Sequence, residues 1–104
     1  MSEVRVLVYH QAGDAAGVEA AYHRVSARMR GVPGLLGNEL LRSVTDATGF
    51  VVLSRWSGIE AFQAWEAGAA HRADTTPLRP YRDTRMEAPF ALYEVAASYP
   101  ETGP

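Results

Sequence analysis

Three histidines are the side chains of this chain whose ordinary ionisation falls near neutral pH, and His71 stands where an imidazole could act as a base. It follows Ala70 at the predicted end of an amphipathic helix. There the helix C-terminus favours an imidazolium, and the side chain could enter a cleft between helix and sheet. In such a cleft it could take a proton from a phenol or an enol; a capping or surface histidine is the plainer reading. His10 reads as a strand-end histidine and His23 as a solvent one, and no pair has the spacing of metal ligands, so neither zinc nor nonhaem iron is expected. Trp56 and Trp65 could be the flat walls of a slot for an aromatic ligand, or simply core. Asn38 interrupts an apolar set of Leu36, Leu40 and Val44, so its amide needs partners, either a ligand carbonyl or a backbone group. Tyr22 and Tyr9 pose the same choice.

Other chemistries are excluded by what the chain lacks. It has no cysteine, and all ten of its basic residues are arginine. Thiol nucleophiles, thiolate metal sites, lysine Schiff bases and a lysine-dependent phosphate loop are therefore out. A formal charge of −2 disfavours nonspecific binding to nucleic acid or anionic membrane. No apolar run approaches the roughly 18–20 residues that span a bilayer, and the first residues lack the basic-then-apolar pattern of a signal peptide, so a cytoplasmic protein without membrane or nucleic-acid partners is expected. Arg72, Arg79, Arg82 and Arg85 outnumber Asp74 and Asp83 in one stretch, which could steer an anion or pair across an interface; a solvated, salt-bridged connector is the simpler expectation.

The elements that must position these residues follow from hydrophobic periodicity. Val4-to-His10 alternates as a strand. Asp14 offers an N-cap, after which Val18, Ala21, Tyr22, Val25 and Met29 mark one face of a helix that closes near Gly31-Val32-Pro33-Gly34. Leu35-to-Val44 and Phe50-to-Trp56, joined by a loop at 45–49, read as an antiparallel hairpin. Ser57-Gly58-Ile59-Glu60 fits a capping box that opens a second helix over Ile59-to-Ala70, with Phe62 and Trp65 on a shared face. Pro77 and Pro80 predict a partly turned connector up to Pro89. Phe90-to-Tyr99 is a fourth strand, and 100–104 a frayed tail.

The order βαββαβ gives an α+β, ferredoxin-like single domain over 1–104 with its core in 4–99: a four-stranded antiparallel sheet with two helices on one face. Apolar residues occur at both parities of the strands, so two helices leave one sheet face bare. Several hundred Å² of such surface in water forgoes on the order of 10 kcal/mol, and a second copy of the sheet is the simplest cover.

The runs Gly34-Leu35-Leu36-Gly37, Phe50-Val51-Val52-Leu53-Ser54-Arg55-Trp56, Glu60-Ala61-Phe62-Gln63-Ala64-Trp65 and Ala70-His71-Arg72 together make the chain resemble the antibiotic biosynthesis monooxygenase superfamily, over roughly 4–99. The resemblance implies a dimeric α+β barrel. It also implies either a cofactor-independent oxygenase of aromatic substrates or a haem-degrading or ligand-binding relative. Trp56 matches the strand-end Trp that polyketide-oxidising members set against substrate; Val52 and Phe62 stand where some of them carry Asn and Tyr. Trp65 matches the pocket Trp of the haem-degrading branch and Tyr22 an aromatic on its first helix. That branch has an Asn in its first strand which is missing here, and its iron-ligand His falls near Asp74 or Thr75. His71 matches the Ala-His-Arg element of nonhaem members.

The reading that results is a homodimeric monooxygenase needing no cofactor, which brings a small or polycyclic aromatic substrate and dioxygen together. His71 and Asn38 are its catalytic residues, and Trp56, Trp65, Tyr22, Phe62 and Tyr9 hold the substrate. The alternative is a haem- or hydrophobic-metabolite-binding protein of the same fold.

Overall fold

The computed structural model describes residues 2–99, so the tail expected at 100–104 lies outside the described residues. Alternating apolar residues form β1 (Val4–Gln11), whose even-numbered side chains Val4, Val6 and His10 are buried. Asp14 caps α1 (Ala15–Arg28) by accepting a hydrogen bond from the Gly17 amide at 3.1 Å. Then come β2 (Leu35–Arg42), β3 (Gly49–Trp56), α2 (Ile59–Ala67), α3 (Ala70–Thr75), a 3₁₀ segment (Thr76–Tyr81) and β4 (Phe90–Glu94).

The strands form one antiparallel sheet in the order β2-β3-β1-β4. The register pairs Val4 with Trp56, Val6 with Ser54, Val8 with Val52 and His10 with Phe50, so these eight residues share the face on which the helices lie. Val18, Ala21, Val25 and Met29 from α1, Phe62 from α2 and Leu78 from the 3₁₀ segment close the core over that face. The other face carries Leu7, Tyr9, Val51, Leu53, Leu41 and Tyr93, with Leu41 and Tyr93 40% and 59% exposed; among the described residues nothing covers it.

Four expectations are corrected. The second helix does not reach Ala70: Gly68 is extended (φ −74°, ψ 154°), and the chain restarts as the separate α3. Glycine is a poor helix former, and here it breaks the helix after two and a half turns. The capping box does not form; Gly58 is the N-cap, with no side-chain hydrogen bond, while the Ser57 amide donates to the Gly34 carbonyl at 2.8 Å. β2 stops at Arg42, leaving Val44 99% exposed, and a bulge between Leu35 and Gly37 sets Leu35 and Asn38 on the same face. β4 ends at Glu94 because its partner β1 begins at Val4; one further bond, Val95 amide to Glu3 carbonyl at 2.8 Å, closes the ladder.

Candidate active site

The bulge in β2 and the helix break at Gly68 both act on one cavity of about 350 Å³ between the sheet, α1 and the α2–α3 corner. Because β2 has absorbed its extra residue, Asn38 pairs with Ser54 and points to the helix side of the sheet. There Tyr22 and Ser26, one turn apart on α1, meet it: the Tyr22 hydroxyl donates to Asn38 Oδ1, and Ser26 Oγ lies 3.4 Å from the same oxygen. With its carbonyl end engaged by two hydroxyls, the Asn38 carboxamide keeps its NH₂ group as a donor on the cavity wall.

The second wall is aromatic. Trp65 on α2 lines the cavity beside Phe62, their ring centroids 6.1 Å apart. His71 stands edge-on to Trp65, centroids 4.5 Å apart and planes at 84°. It lies in the first turn of α3, not at the end of the second helix, so the expected C-terminal stabilisation of an imidazolium is absent. Burial, and then the Arg79 guanidinium, hold its pKa below the usual 6.5, with Glu66 opposing. His71 is therefore a neutral imidazole at neutral pH, the form that accepts a proton.

The structure thus brings Tyr22, Asn38, Phe62, Trp65 and His71 together around one cavity and leaves two expected residues out. Trp56 is fully buried behind it; its indole N–H donates to Ser54 Oγ at 2.9 Å and its ring backs those of Phe62 and Trp65, each centroid 5.5 Å away. It is core that supports the slot. Tyr9 falls on the opposite face of the sheet, since its neighbours Val8 and His10 are the residues that face the cavity.

Sequence reasoning missed His10. It is 4% exposed and lines the cavity, and burial, opposed by a hydrogen bond to the Val8 backbone, holds its pKa below the usual value. The parity of Val4, Val6 and Val8 was the available signal, because it carries residue 10 to the buried face. The arginine-rich connector is only partly salt-bridged. Arg85 holds Asp83 through Nε at 3.0 Å and Nη2 at 2.9 Å and also reaches Asp46, whereas Arg72, Arg79 and Arg82 face the cavity without an ion pair among the described residues.

The model of the antibiotic biosynthesis monooxygenase family matches residues 1–73. The chain belongs to the antibiotic biosynthesis monooxygenase family. A monooxygenase, as the resemblance implied, agrees with that membership, and so does the ferredoxin-like sheet. Among curated relatives, protein SchA of Streptomyces halstedii is 33% identical over 91% of this chain but only 26% of its own length, so the chain spans about a quarter of that relative. The mycobilin-producing heme oxygenase of Mycobacterium tuberculosis is 41% identical over 50% of this chain and 54% of its own. In three dimensions the chain is similar to SnoaB, a cofactor-independent oxygenase from Streptomyces nogalater, with a TM-score of 0.77, 24% identity and coverage of 97% of this chain and 100% of the other. A heme-degrading protein of Mycobacterium tuberculosis gives a TM-score of 0.73 at 24% identity, covering 96% and 98%. At these identities the solved structures establish the fold. Among the described residues no helix is long and apolar enough to cross a membrane.

At about 350 Å³ the cavity is at the small end of the range for small-molecule sites.

Proposed function

We propose that this protein is a cofactor-independent monooxygenase of a small or polycyclic aromatic substrate, working as a homodimer whose bare sheet faces cover one another. The observation that supports it is the meeting, in one mostly apolar cavity, of a neutral imidazole (His71), a pinned carboxamide (Asn38) and an aromatic wall (Phe62, Trp65). An aromatic with a ring ketone and a ring methylene conjugated to it through the arene lies against Trp65. His71 takes a proton from the methylene, and the Asn38 NH₂ donates to the oxygen on which the negative charge develops. The resulting electron-rich carbanion reduces dioxygen by one electron, and the radical pair combines into a peroxide at that carbon. Loss of the second C–H proton as the O–O bond breaks gives a carbonyl. One oxygen atom enters the substrate, the other leaves as water, and the methylene supplies all four electrons, so no external reductant is needed. Exclusion of water by the slot protects the carbanion from reprotonation.

Oxygen uptake with a panel of anthrones and naphthols tests the reading: wild type consumes one dioxygen per carbonyl formed, and His71→Ala is slower by about 10²–10⁴-fold. Equal rates in the two would sink His71 as the base. A second reading, a haem-binding protein of the same fold with haem degradation or no turnover, is favoured by the identity to the heme oxygenase over half of the chain. Titration with haem decides it: a saturable Soret shift without uptake on any aromatic would put haem in the cavity.

A further inference from the structure

The register that turns Asn38 into the cavity also gives it a neighbour. Asn38 pairs with Ser54 across the β2–β3 ladder, so their side chains stand side by side on the sheet floor, about 4.5–5.5 Å apart at Cβ, and both line the cavity. Ser54 sits on an inner strand, half-buried, with its side chain on the face where the cavity opens. A serine hydroxyl accepts through its oxygen and donates one hydrogen. The accepting side is taken, because the Trp56 indole N–H donates to Ser54 Oγ at 2.9 Å. Trp56 is fully buried and packed against Phe62 and Trp65, which fixes the direction of that bond. Among the described residues no acceptor takes the Ser54 hydrogen, and none takes the Asn38 NH₂, whose carbonyl oxygen is held by Tyr22 and Ser26. Two adjacent donors on the cavity floor are thus left for a ligand.

We propose that Ser54 is a second oxyanion donor: its hydroxyl and the Asn38 NH₂ together receive the ring-ketone oxygen as that oxygen gains negative charge, with Trp56 as the positioning residue behind the hydroxyl. This rests on the oxygenase reading for the reaction, and it adds a catalytic residue to the same site. Hydrogen bonds to a charged oxygen are roughly twice as strong as those to a neutral one, so both donors favour the enolate over the ketone and act where the charge develops. The indole strengthens the effect, because a hydroxyl that accepts one hydrogen bond is polarised to donate the next. Trp56 therefore acts on the reacting oxygen through Ser54 without lining the cavity. His71 stands on the helical wall and these donors on the sheet floor, so base and donors address different atoms of one ligand.

Wild type and Ser54→Ala are to be loaded with 6-cyano-2-naphthol, whose naphtholate stands for the enolate, and the ionisation constant of the bound probe read from its absorbance against pH. Loss of the Ser54 hydrogen should lower that constant by about tenfold or more, and Trp56→Phe, which keeps a ring and removes the N–H, by a smaller factor. Binding of 2-cyanonaphthalene, which has the rings without the oxygen, is measured beside it, so that a general loosening of the cavity is separated from loss of the donor. Ser54→Ala leaves a buried indole N–H unpaired; if it fails to fold by circular dichroism, Ser54→Ala/Trp56→Phe removes both ends of that bond and carries the same test. An ionisation constant unchanged from wild type in the folded variant, or no saturable binding of the naphthol to wild type, overturns the proposal. The oxygenase reading fails separately: the expected drop in the ionisation constant, with no oxygen uptake on any anthrone, would remove turnover and leave the donor pair standing.

Discussion

At the scale of single residues, the neutral state of His71 makes a directional statement about pH. Its pKa is lowered, by burial first and Arg79 second, so the base is already free at the ordinary imidazole value of 6.5. The acid limb of kcat should therefore fall below pH 6.5, and Arg79→Gln, which removes a cationic neighbour, should move it toward higher pH; a stopped-flow or electrode pH profile reads both. Asn38→Ala removes the donor proposed for the developing charge and should lower kcat by about 10²-fold with a smaller change in KM. Tyr22→Phe releases the amide oxygen and should cost less, since Ser26 still reaches it. These residues were partly legible: Tyr22, Asn38, Trp65 and His71 stand out by type, because polar or planar groups on apolar faces require partners. His10 did not, because a histidine ending a strand is usually wet. What buries it is a contact from residues 82–83, far away in sequence, where the Asp83 amide donates to the Tyr9 carbonyl at 3.1 Å.

At the scale of elements, the corner between β2 and α2 sets the slot. Gly34 has φ +83° and closes against α2 so tightly that a Cβ there would lie 2.3 Å from Ala61 Cβ and 2.9 Å from Ser57 Oγ. Both the backbone region and the space require glycine. Gly34→Ala should destabilise the fold by about 2–4 kcal/mol, read by urea titration, and should loosen Phe62 and Trp65 with it. Periodicity located every strand and α1, because each shows a long enough repeat to betray its buried face. It could not locate the β2 bulge or the stop at Gly68. A bulge is one residue of slippage chosen by the partner strand, and a single glycine is tolerated within many helices at about 1 kcal/mol.

For the molecule as a whole, the proposed dimer turns on the bare sheet face. Leu53→Asp sets a charge among Leu7, Val51 and Leu41 without touching the cavity. Sedimentation at micromolar concentration should show wild type as a dimer and this variant as a monomer of reduced stability; a monomeric wild type would remove the interface. Stability should also fall with acid in two steps. His10 has its folded pKa below 6.5, because burial penalises the charged form, so the unfolded chain binds its proton first and stability is lost as pH drops below 6.5. Asp83 has its folded pKa below 3.8, chiefly through its hydrogen bonds from Arg85, so its contribution persists above 3.8 and is lost as pH falls through the folded value. Thermal melts of wild type and His10→Phe between pH 4 and 8 isolate the share of His10 in the first step: it should shrink in the variant, leaving what the lowered pKa of His71 contributes.

The sequence by itself determined the element order, the two-sided greasiness of the strands and the absence of thiol and lysine chemistry, because these depend on residue type and local spacing alone. Only the tertiary structure decided which aromatics face a ligand. Trp56 and Trp65 are equally apolar and equally periodic, yet one is sealed behind the other by Phe62, and no local pattern encodes which of two stacked rings lies in front. The same holds for the arginines: whether a guanidinium finds a carboxylate or an open cavity is settled by strands and turns that meet across most of the chain.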